Sequence, residues 1–75
     1  MTAMGERLEL QVKHGSTWQT LNRREVGEVS YGTAFLDLLT MRDQWLMNEF
    51  PNHSFRVIEW NRGKWKVVMG KEVVG

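Results

Sequence analysis

Seventy-five residues make one domain with no room for a second core, and a composition of 41% hydrophobic and 25% charged residues excludes a chain disordered throughout. A formal net charge of +1 and a pI near 8.2 give a field too small to gather or repel nucleic acid strongly, so any such binding needs a local patch. With no cysteine, disulfides and thiolate metal sites are excluded.

Met1–Glu6 carries little pattern and is expected to fray. Arg7–Lys13 then alternates, with Leu8, Leu10 and Val12 on one side and Glu9, Gln11 and Lys13 on the other, the period of a half-buried strand. His14-Gly15-Ser16 interrupts it and Thr17–Arg23 resumes as a second strand. A three-residue loop pairs Val12 with Trp18 and Leu10 with Thr20, placing Trp18 among the leucines. A two-residue His14-Gly15 turn would set Trp18 opposite Gln11 on the wet face, because a one-residue slip inverts every side chain. The odd loop is the preferred reading.

Arg24–Gly32 has two glycines and no sustained period, and reads as a connection into a helix-period run, Thr33–Phe50. Ser30 or Thr33 can cap its start, and Pro51 cannot continue it. The run would span roughly 27 Å. Ala34, Leu38, Met41 and Trp45 fall in one narrow stripe, and Phe35, Leu36, Leu39, Leu46, Met47 and Phe50 in a broader one that includes Asp43. One sheet cannot cover both. The surplus either contacts loops and chain ends of the same chain or meets another molecule. Below about 80 residues a lone core rarely supplies more than about 3–5 kcal/mol, so a homodimer through Phe35, Leu36, Leu39, Leu46, Met47 and Phe50 is expected.

Asn52-His53-Ser54 forms the next turn, Phe55–Trp60 the third strand and Lys64–Met69 the fourth. Asn61-Arg62-Gly63 fits a three-residue loop with Gly63 left-handed. That register groups Phe55, Val57 and Glu59 with Trp65, Val67 and Met69, and sets Arg56, Ile58 and Trp60 beside Lys64, Lys66 and Val68 on the other face. Both hairpins carry a Gly-centred loop followed closely by a Trp. Gly70–Gly75 trails away, with residues 71–75 expected to fray. The order ββαββ is that of an α+β fold, a four-stranded antiparallel sheet with one helix packed on one face. A strand order of 2-1-3-4 is among those allowed.

His14 and His53 lie in separate turns without metal-ligand spacing, and Ser16, Ser30 and Ser54 have no nucleophile signature. Asp37 and Asp43 share no helix face, and the glycines match no phosphate loop. No catalytic, metal or cofactor residue is assigned, and an enzyme is not expected. The outward sheet face is the candidate site: Arg56, Ile58, Trp60, Lys64 and Lys66, with Lys13 able to join, form a basic and aromatic surface that suits a protein partner or single-stranded nucleic acid. Trp18, Trp45 and Trp65 read as core residues.

Tyr31 through Pro51, then Phe55-Arg56-Val57-Ile58-Glu59 and Lys64-Trp65-Lys66-Val67-Val68, resembles the small ββαββ accessory proteins encoded by phages and prophages. That loose class includes host-takeover and anti-defence factors that act by binding, and it transfers no site residue. The resemblance implies a non-enzymatic protein that engages a macromolecular partner, such as an inhibitor. The whole chain therefore reads as a homodimeric interaction protein with an unidentified protein partner; the alternative is a nucleic-acid-binding module on the outer sheet face. Without an apolar run of about 20 residues or a signal-peptide core at Met1–Arg7, no membrane is expected, and the setting is the cytoplasm, that of the host if phage-encoded.

Overall fold

The alternating and helix-period segments fold as β1 (Arg7–His14), β2 (Thr17–Glu25), α1 (Tyr31–Asn48), β3 (Phe55–Asn61) and β4 (Lys64–Lys71). The structure, a computed structural model, describes residues 6–27 and 29–71, Lys71 by its backbone alone. The strands form one antiparallel sheet in the order β2-β1-β3-β4. The expected ββαββ architecture and its α+β class are therefore present. Fraying at the ends lies largely outside the described residues, but Glu6 is tied down, its carbonyl accepting from the Val26 amide at 3.1 Å.

Of the two cap candidates, Ser30 takes the role, its Oγ accepting from the Thr33 amide at 3.2 Å. The helix ends with Glu49 as C-cap, just before Pro51. Leu8, Leu10 and Val12 of β1 and Phe55 and Val57 of β3 meet Ala34 and Leu38 of α1 in the core. Each large apolar side chain buried there contributes about 1.5–3 kcal/mol, the main source of stability in so small a fold. Met41 and Trp45 complete the inward stripe at the core margin. The Trp45 Nε1–H donates to Asn22 Oδ1 at 2.8 Å, satisfying its polar end.

The broad helical stripe divides. Phe35 and Leu39 on the helix, and Phe50 just beyond its Glu49 C-cap, pack partly buried against the protein's own core. Leu36 and Met47 point to solvent, 64% and 81% exposed, with Leu46 beside them at 37%. Half of the expected dimer surface thus packs, partly buried, against the chain's own core.

Both hairpin registers differ from expectation by one residue. His14 pairs with Thr17 across a two-residue Gly15-Ser16 turn, and Gly15 takes the positive φ of +62° favoured at the first position of a II′ turn. Asn61 pairs with Lys64 across Arg62-Gly63, whose φ values of 56° and 79° are those of a type I′ turn. Trp18 therefore lies opposite Lys13 and Trp65 opposite Trp60, on the face away from the helix, not in the core. Lys64 and Lys66 move to the helix side, opposite Asn61 and Glu59. Register shifts beside Leu21 and Val68 restore the phase, so that Asn22 and Met69 return to the helix side.

Candidate functional site

The helix covers one face of the sheet and leaves the other open. β1 supplies that outer face with Arg7, Glu9, Gln11 and Lys13, flanked by Trp18, Thr20 and Arg23 of β2, by Arg56, Ile58 and Trp60 of β3, and by Trp65 and Val67 of β4. At its centre the Arg56 guanidinium carbon lies 4.2 Å from the Trp18 ring centroid and 4.9 Å from that of Trp65, a cation held between two rings. Arg7 stands 5.4 Å from the Trp60 ring, and the Trp60 and Trp65 rings lie 6.5 Å apart. Trp65 and Val67 remain about half exposed, at 49% and 48%.

Beneath the rings runs a chain of hydrogen bonds. Arg56 Nε donates to Gln11 Oε1 at 2.7 Å, and Gln11 Nε2 donates to Thr20 Oγ1 at 3.0 Å. Thr20 Oγ1 then donates to Glu9 Oε1 at 3.0 Å, while Arg7 Nε donates to Glu9 Oε2 at 2.7 Å. Glu9 and Gln11 are buried yet satisfied, which is the condition on which buried polar groups are tolerated. Desolvation lowers the Arg56 pKa from its ordinary value, but the guanidinium stays charged at neutral pH. Trp60 Nε1 is shut off from water and finds no acceptor among the described residues.

Of the sequence candidates, Arg56, Ile58 and Trp60 share the outer face, with Ile58 itself buried. Lys64 and Lys66 instead line an open groove of about 700 Å³ with Glu6, Glu59, Asn61, Arg62 and Trp65. Trp65 thus belongs both to the outer face and to the groove beside it. Sequence reasoning missed Trp18, Trp65, Arg7 and the Gln11 relay. The available signal was the shared position of the two tryptophans, each the second residue after its hairpin turn.

At the opposite end of the sheet the fold brings His14 and His53 together, ring centroids 5.5 Å apart and both in contact with Phe50. Sequence spacing gave no hint of this. His14 Nε2 meets Gln19 Oε1 at 2.8 Å and His53 Nδ1 meets the Pro51 carbonyl at 3.1 Å, so the pair closes a small aromatic cluster. Among the described residues no group of three or more His, Cys, Asp or Glu could hold a metal ion, and no helix is long and apolar enough to cross a membrane. No family model, curated protein or solved structure matches the chain, so the reading of the outer face rests on its own residues.

Proposed function

We propose that this protein acts by binding a macromolecule on the helix-free face of its sheet, without catalysing a reaction on it. The observation that carries the reading is the Trp18, Arg56 and Trp65 stack; with Trp60 beside Arg7, three of the four tryptophans sit on the helix-free face against a cation. Trp and Arg are the residues that dominate binding hot spots. Arg56 is already fixed by Gln11, which lowers the ordering cost of association. Glu9, hydrogen-bonded to Arg7 and Thr20, forms part of the floor beneath the rings.

The homodimer expected from the helix now rests on Leu36, Leu46 and Met47, whose exposure still favours it. Light scattering at micromolar concentration gives about twice the 8.8 kDa chain mass if that contact forms. A blocking role of the kind that the phage-type resemblance implies would follow from occupying the partner's own working surface.

The test of the face is capture from native cell lysate on immobilised protein. A macromolecule retained by the wild type and by Leu36→Ala, but lost by Arg56→Ala and by Trp65→Ala, supports the outer face. Equal retention by all four proteins rules that face out.

A further inference from the structure

We infer that the partner is single-stranded nucleic acid, with a base on Trp65 and a phosphate on Arg56 on the outer face, and further phosphates on Lys64 and Lys66, which lie on the helix side of β4 and are reached over that edge strand through the groove they share with Trp65; this rests on the binding role proposed above. The central strand decides against a dry partner. β1 gives the outer face only Arg7, Glu9, Gln11 and Lys13, and an apolar surface or a second sheet packed there would strand charges away from water.

Charge points the same way. Among the described residues, Arg7, Lys13, Arg23 and Arg56 outnumber Glu9 and Glu25 on the outer face, and in the groove beside Trp65 the cations Arg62, Lys64 and Lys66 outnumber Glu6 and Glu59. Asp37, Asp43 and Glu49 belong to the helix and its cap, on the other layer. A near-neutral chain has therefore gathered cations around its exposed aromatic ring. Lysine is depleted at the cores of protein interfaces, whereas its ammonium suits phosphate.

The geometry of Trp65 specifies a single strand. One neighbour of the ring is the Arg56 guanidinium, and about half of the residue is open to solvent. A base can stack on that ring only when it is not already stacked within a duplex, and such stacking tolerates any sequence. With Arg56 Nε engaged by Gln11, its two Nη groups carry the remaining donors, the fork that pairs with phosphate oxygens. Three phosphate contacts, at Arg56, Lys64 and Lys66, give a salt slope of about −2 for a single strand, or roughly 15–20-fold weaker binding between about 50 mM and about 200 mM salt.

The experiment titrates the full chain, followed by Trp emission, with oligothymidylate, with a DNA duplex and with polyglutamate, at both salt concentrations. Oligothymidylate should quench in a saturable way and bind more tightly than the other two, with the salt loss just given. Trp65→Ala should weaken it about tenfold, and a Lys64→Gln, Lys66→Gln double variant should flatten the slope by about 1.4. All three positions are exposed, so these variants keep the fold. No quenching at low salt, or an equal response to duplex or polyglutamate, overturns the inference. If a lysate partner is then still captured after nuclease treatment and still lost by Arg56→Ala, the partner is a protein and the binding face stands. If nothing is captured either, both readings fall.

Discussion

Gln11 is the side chain on which the geometry of the outer face turns. Truncating it to alanine removes a charge-assisted hydrogen bond from Arg56 Nε at 2.7 Å and a neutral one to Thr20 at 3.0 Å. The first is worth about 1.5–3 kcal/mol and the second about 0.5–1.5 kcal/mol. Gln11 is only 9% exposed, but the face above it is open, so water can reach part of the vacated space and the net cost should fall near 2 kcal/mol. Against a total stability of about 4–11 kcal/mol for a chain of this length, that is readily measured. The clean assay is a double-mutant cycle in urea with Gln11→Ala, Arg56→Ala and the pair, which isolates the coupling from the cost of either truncation. A coupling of about 1–2 kcal/mol is expected. A coupling indistinguishable from zero would mean that Gln11 does not hold Arg56 between the rings, and the preorganised stack would have to be abandoned.

Leu38, fully buried, and Leu36, 64% exposed, lie two residues apart on the helix, so Leu38→Ala should cost about 2–4 kcal/mol and Leu36→Ala less than about 0.5 kcal/mol in urea denaturation; similar costs would mean the helix is rotated from its observed orientation. Arg62→Asn should raise the melting temperature slightly, because Asn-Gly is the preferred pair for a type I′ turn and Arg62 already holds a φ of 56°; a loss of stability would argue for a different loop. Tyr31 has its pKa raised above 10.0, first by desolvation and then by its hydrogen bond to Glu59 at 3.0 Å. The stability it contributes is complete below its unfolded value and is lost as pH rises through the higher folded one, so urea midpoints should fall more steeply above about pH 10 in the wild type than in Tyr31→Phe. Parallel pH curves for the two proteins would remove that role.

Element positions were legible because their signals are local: alternation in β1, the apolar stripe Ala34, Leu38, Met41 and Trp45, and Ser30 ahead of the helix. Register was not, because it depends on turn length, and each loop contains enough turn-forming residues for two or three positions. The preference for burying Trp18 then chose the wrong parity, since a ring can also be satisfied outside the core by stacking on Arg56. Trp65, Val67 and Met69 read as one face by strict alternation, yet the shift at Val68 places the first two outside and the third inside. A bulge of that kind leaves no mark in an apolar run. The helix invited a similar overreading: Phe35 and Leu39 reach the core from its flanks and Phe50 from beyond its C-cap, which a single projection of helical angles does not anticipate. The site was half visible for the same reasons, through Arg56, Ile58 and Trp60. Lys64 and Lys66 were correctly singled out as exposed cations but assigned to the wrong side of β4.

The most direct measurement uses the four indole N–H signals in a proton–nitrogen NMR spectrum of the full chain, one from each Trp. On addition of oligothymidylate at low salt, the Trp65 and Trp18 signals should move together with the backbone amides of β3 and β4. The Trp45 signal, tied to Asn22 beneath the helix, should stay in place. Movement of Trp45 and the helix amides while Trp18 and Trp65 hold still would place the working surface on the helical layer and contradict an outer sheet face built for binding.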